Sequence, residues 1–128
     1  MRVSHREPSF RRDPNVHLPL TPAMFHVMAA LSDGDQHGYA IIKDVAGRTS
    51  GAVTLSTGTL YGIIKRLLGE GLIVELRRRP AVEHDDQRRR YYRLTDEGRR
   101  LAIAETERLE KLLARARGTR LLRALKPL

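Results

Sequence analysis

No cysteine occurs among the 128 residues, which excludes disulfides, zinc-finger thiolates and iron–sulfur ligation. No apolar run approaches the ~18 residues that span a bilayer. The longest near-continuous apolar stretch is 27–31, and the opening MRVSHREPSFRRD has no apolar segment of the kind a secretory signal needs. There is no P-loop, no dinucleotide fingerprint and no nucleophile elbow. These absences predict a cytoplasmic protein that is not an enzyme, with no cofactor and no membrane partner.

Arginine is what the chain has in excess. Twenty Arg and 4 Lys stand against 15 acidic residues, a net charge of +9. Codon bias toward arginine is the plainer reading of this excess, but basicity of this size also suggests a polyanionic partner, nucleic acid before anionic membrane. The charge is unevenly placed: +2 over 1–19, zero over 20–74, +3 over 75–93 and +4 over 94–128. With 41% hydrophobic residues the chain can build one core, so one domain plus an arm is expected.

Residues 1–19 hold Pro8, Pro14, Pro19 and four arginines, and read as a basic flexible arm. Thr21-Pro22 then has the form of an N-cap followed by a first-turn proline, and Leu20, Met24, Val27, Met28 and Leu31 recur at helical spacing up to Gly34. A second helix is predicted from His37-Gly38-Tyr39 to about Arg48, with Ile41, Ile42 and Val45 inward. After a connector over 49–55, Ser56 caps a third helix on Leu60, Ile63, Ile64, Leu67 and Leu68, closed by Gly69 and Gly71. Alternation over 72–79 predicts a strand with Leu72, Val74 and Leu76 on one face. A polar loop at 80–87 leads to a second strand over 88–95 with Tyr92 and Leu94 inward. Thr95 then caps a helix reaching about Arg117, with Asp96 and Glu97 in the first turn, where the dipole favours anions. Gly118-Thr119 interrupts it before a leucine-rich tail at 121–128.

Three helices, a hairpin and a long helix describe a mostly α protein with a small β-hairpin: a winged helix-turn-helix plus a long C-terminal dimerisation helix. The domains expected are the arm 1–19, a winged helix DNA-binding domain at 20–95, and a C-terminal dimerisation helix and tail at 96–128.

On a wheel of 100° per residue, Leu60, Ile64 and Leu67 of the third helix share one face. Gly58, Tyr61, Gly62 and Lys65 form the opposite one. The two glycines let the backbone approach a groove closely, Lys65 brings charge, and Tyr61 brings a hydroxyl and a ring. Thr57 and Thr59 add hydroxyls beside a helix N-terminus suited to phosphate. An ordinary solvated face gives no reason for two glycines, each costing ~1 kcal/mol relative to alanine. In the hairpin, Arg77, Arg78 and Arg79 approach the tip and Arg88, Arg89 and Arg90 leave it, placed to lie along phosphates or enter a narrow minor groove. Protection of an edge strand by charge is the plainer reading of the same arginines.

HGYAIIKDV at 37–45, STGTLYGIIKRLLGEGLI at 56–73 and RRRYYRLTDEGRRL at 88–101 resemble the PadR-type transcriptional regulators, winged-helix repressors. The resemblance covers roughly 20–113. It implies a homodimer bound to double-stranded operator DNA and often released by a small-molecule effector or another signal. By the motif match, Tyr39, Ser56, Thr57, Thr59, Tyr61 and Lys65 are the helix-side DNA contacts. The family often has proline after Leu-Tyr and glutamate after Arg-Leu, where this chain has Gly62 and Leu68. No tryptophan is present for the aromatic-walled drug pocket of some multidrug-sensing members, and Leu109 stands at about that position.

Two further patterns stand out. Ala102, Thr106, Leu109, Leu113 and Ala116 alternate spacings of four and three, a weak heptad seam on a helix longer than a winged domain of about 75 residues covers. A second copy is the simplest cover, with Met24 and Met28 of the first helix joining the interface. Glu83, His84, Asp85 and Asp86 cluster at the wing tip, but nothing rigid holds them in a coordination geometry, so no metal site is expected. Two rival readings remain: a winged-helix protein-interaction module whose basic surface meets an acidic protein or membrane, and a metal-dependent enzyme resting on the wing-tip cluster alone.

Overall fold

The computed structural model describes residues 18–78, 89–120 and 122–123, the side chains of Arg77, Arg78 and Arg89 excepted. The arm over 1–17, the wing tip over 79–88 with Arg88 and the acidic cluster, and the tail beyond 123 lie outside the described residues.

Each described helix begins where a side chain satisfies a free backbone N–H. Helix α1 (Pro22–Ser32) starts at Thr21, whose Oγ1 accepts from Met24 N–H at 3.1 Å, with proline in the first turn. Helix α2 (Gly38–Arg48) starts at His37, whose Nδ1 accepts from Ala40 N–H at 3.3 Å. Helix α3 (Thr57–Gly69) is capped by Ser56 through Thr59 N–H at 3.1 Å, and α4 (Asp96–Arg117) by Thr95 through Gly98 N–H at 3.0 Å. The end of α3 is a Schellman turn: Leu72 N–H donates to Leu67 C=O and Gly71 N–H to Leu68 C=O, with Gly71 at φ +74°.

That turn corrects the expected strand face. Leu72 is buried as part of the helix cap, ahead of strand β2 (Ile73–Arg78), so alternation starts one residue later. Ile73 therefore points into the core and Val74 outward, the reverse of the predicted pattern. Strand β3 (Arg89–Leu94) pairs antiparallel with β2, setting Ile73 opposite Leu94 and Glu75 opposite Tyr92. A two-residue strand β1 (Gln36–His37), absent from the sequence reading, pairs with the other edge of β3, giving the order β1-β3-β2.

The core joins Val27, Met28 and Leu31 of α1, Ile41 and Val45 of α2, Leu60, Ile64 and Leu67 of α3, Tyr92 and Leu94 of β3, and Leu101 of α4. Helix α1 is central, packing on α2, β3 and α4. Met24 and Met28 are buried inside this core, so one chain already covers the side chains expected at an interface. Gly98 makes the close approach of α4 possible. A Cβ there would collide with the Leu72 carbonyl oxygen, which also accepts from Thr95 N–H at 3.0 Å.

Candidate nucleic-acid interface

Burying Leu60, Ile64 and Leu67 turns the opposite face of α3 to solvent, and Thr57, Gly58, Thr59, Tyr61, Gly62 and Lys65 are all exposed. Ser56 is exposed too, but its hydroxyl is engaged: it caps the helix and donates to Thr59 Oγ1 at 3.0 Å. Its role is to hold the first turn and orient Thr59. A Cβ added at Gly58 or Gly62 would meet nothing within 4 Å, so internal packing does not require either glycine. Together they leave a side-chain-free stripe beside Tyr61 and Lys65.

Tyr61 is 45% exposed, yet its phenol lies against the first turn of α2. A Cβ at Gly38 would overlap the Tyr61 hydroxyl and stand 2.9 Å from Cζ. Glycine at 38 thus admits the Tyr61 phenol against α2. Tyr39, the next residue, is the most exposed large hydrophobic side chain described, at 64%. In the sequence, HGY stands only as a helix start and the opening of a family motif; the crossing of α2 and α3 shows what Gly38 admits.

The ion pairs sort the charges of this region. Arg48 pairs with Asp44 at 2.9 Å and with Asp33, which ties the end of α1 to α2. Gln36 reinforces this, its amide donating to Asp44 Oδ2 at 2.9 Å and to Ala30 C=O at 3.0 Å. The Gln36 amide first, then Arg48, holds the Asp44 carboxyl below its ordinary range against the opposing effect of burial. Arg66 pairs with Glu70 at 3.3 Å, and Arg93 meets Asp35 through two hydrogen bonds of 3.0 and 2.9 Å. Lys43 carries its ammonium 5.5 Å from the centre of the Tyr39 ring.

On the wing, Arg90 is exposed and makes a long ion pair with Glu75 across the strands, 3.6 Å. Arg89 belongs to β3, and its side chain lies outside the described residues, as does all of Arg88. The ring of His37 meets Tyr91 edge-on, centroids 5.3 Å apart, and links the α2 cap to β3.

The residues expected at a dimer seam lie along α4. Ala102, Leu109 and Ala116 are half-buried, and Thr106 and Leu113 are exposed. Ile103 and Leu112 extend this apolar surface. Between α1 and α4 lies a cavity of about 350 Å³ lined by Phe25, Ala29, Leu94, Ala102 and Ile103, with Arg99 and Glu107 among its polar groups. Sequence reasoning missed Glu105, which is only 2% exposed. Its carboxylate accepts from Arg108 at 2.6 and 3.0 Å and from Leu20 N–H at 3.2 Å. A Glu three residues before an Arg is common on solvated helices, so no local signal marked it.

The model of the transcriptional regulator PadR-like family matches residues 27–104. A PadR family transcription regulator from Clostridium difficile is similar in structure, with 30% identity and a TM-score of 0.59 over 74% of this chain and 97% of that one. Bacillus subtilis PadR, solved in complex with operator DNA, shares the fold at 19% identity and a TM-score of 0.57, over 66% of this chain and 47% of that one. An uncharacterised 37.1 kDa protein from a Streptomyces fradiae transposon is 36% identical over 96 residues, 73% of this chain and 24% of that protein. The chain thus spans about a quarter of the length of this curated relative.

Proposed function

Because this chain belongs to the PadR-like family of transcriptional regulators, we propose that it is a sequence-specific, double-stranded-DNA-binding repressor that acts as a homodimer in the cytoplasm. The observation carrying this reading is the outward face of α3, where Thr57, Thr59, Tyr61 and Lys65 surround two glycines that the protein's own packing does not use. Such a face suits a major groove: hydroxyls and an ammonium for phosphates and base edges, and bare backbone for close approach. The operator complex of Bacillus subtilis PadR, a protein of the same fold, supports it.

In this reading α3 enters the groove, Ser56 and Gly58 shape its first turn, and Tyr39 meets the backbone beside it. Arg88, Arg89 and Arg90 of the wing grip flanking phosphates. The winged domain is 20–95, and 96–128 holds the dimer through Ala102, Thr106, Leu109, Leu113 and Ala116 with their counterparts. Met24 and Met28 support α1 from within. The cavity between α1 and α4 offers room for a small-molecule effector that releases DNA by shifting α4 against the winged domain.

Titration against a duplex selected from random sequences, with a scrambled duplex as control, tests the reading. A dimer neutralising about 6–8 phosphates gives a log–log salt slope on the order of −5 to −7. Equal affinity for both duplexes across salt concentrations rejects sequence-specific regulation.

A further inference from the structure

The segment 20–74 has zero net charge, with Lys43, Arg48, Lys65 and Arg66 against Asp33, Asp35, Asp44 and Glu70. Folding does not leave these charges mixed. Arg48 is held by Asp33 and Asp44, Arg66 by Glu70, and Asp35 is taken by Arg93 of β3. All four carboxylates and both arginines are thereby engaged. Among the described residues no ion pair involves Lys43 or Lys65, and both are exposed.

The two lysines share a second feature. Each follows an exposed tyrosine by four residues, Tyr39-Lys43 on α2 and Tyr61-Lys65 on α3, a spacing that puts both side chains on one helix face. The Tyr61 phenol lies against Gly38, the residue before Tyr39, so α2 and α3 cross beside the point where the α2 pair begins. The Lys43 ammonium is held over the Tyr39 ring, which limits its freedom without neutralising it.

We propose that Lys43, supported by Tyr39, is a phosphate-binding residue that anchors α2 on the DNA backbone while α3 lies in the groove. The inference rests on the DNA-binding reading above and extends it to α2. A helix preceding a recognition helix crosses the backbone, and a phosphodiester there meets an ammonium with no carboxylate to displace. An acidic protein partner would use the same charge, and the test separates the two. The contact carries no sequence information, so Lys43 contributes to affinity and orientation and not to base choice.

The experiment compares wild type, Lys43→Gln, Lys43→Arg and Lys65→Gln on a short duplex of arbitrary sequence and on the selected duplex, over a range of salt. Lys43→Gln is expected to weaken binding to both duplexes by the same factor and to make the salt slope shallower by about 0.9 per lost contact, twice that in a two-fold dimer. Lys43→Arg is expected to restore the slope, which a purely structural role would not require. Wild-type affinity and slope in Lys43→Gln, beside a clear loss in Lys65→Gln, would overturn the role of Lys43 and leave the DNA-binding reading intact. A wild-type protein that binds neither duplex would overturn that reading itself, and this inference with it.

Discussion

The phenol of Tyr61 occupies the space that a side chain at Gly38 would need. This contact sets how closely α3 crosses the first turn of α2. Gly38→Ala would push the Tyr61 ring aside. Because that ring is a half-exposed, movable group, the stability cost should stay at or below about 1 kcal/mol, the low end of overpacking. Duplex affinity should fall more than stability does. Parallel urea melts and duplex titrations check this, and unchanged binding would detach Tyr61's position from recognition.

Gly98 provides the contrast. A Cβ there meets the Leu72 carbonyl, a backbone atom fixed by its hydrogen bond from Thr95 N–H. Nothing there can swing away. Gly98→Ala should therefore lose at least about 1–3 kcal/mol of unfolding free energy, despite alanine's better helix propensity.

At Gly62 the sign reverses. The site is helical, exposed and open, so Gly62→Ala should stabilise the free protein by about 0.4–1 kcal/mol. If the bare stripe serves the groove, the same substitution should weaken duplex binding. A raised Tm together with equal or tighter binding would show that the glycine serves no ligand.

Glu105 makes stability depend on acid. Its carboxyl is held below the ordinary value of 4.5, first by the Arg108 guanidinium and then by Leu20 N–H, which together outweigh burial. With the folded pKa below the unfolded one, the contribution is complete above the ordinary carboxylate range and is lost as pH falls through the folded pKa. Glu105→Gln should remove that part of the acid dependence and cost on the order of 1–3 kcal/mol at neutral pH. Unfolding curves at neutral pH and below 4.5 decide it, and an unchanged difference between them would mean that another group carries the acid sensitivity.

The seam on α4 gives the last expectation. Leu109 is mostly buried already and Leu113 is 45% exposed, so a second copy can add less than half of the ~1.5–3 kcal/mol that full burial of each leucine contributes. Four leucines across a two-fold axis then supply roughly 2–5 kcal/mol. Leu109→Glu with Leu113→Glu should sediment as a monomer, keep its helical signal and bind DNA far more weakly. A dimer that survives would place the interface elsewhere.

Local chemistry accounts for most of what was readable in advance. Thr21, Ser56 and Thr95 announce helix starts because an N-cap interacts with atoms three residues away, and the wheel of α3 separates Leu60, Ile64 and Leu67 from Tyr61 and Lys65 for the same reason. Other assignments depended on partners far along the chain. Strand β1 is too short for any periodicity and exists through its pairing with Tyr91 and Tyr92. Val74 faces out because the Schellman turn takes Leu72 out of the strand. Met24 and Met28 were absorbed by the core, and Glu105 was buried under a backbone N–H 85 residues away. Caps and periodicity are short-range and written in neighbouring residues, whereas burial and charge pairing belong to contacts that exist only once the chain has closed on itself.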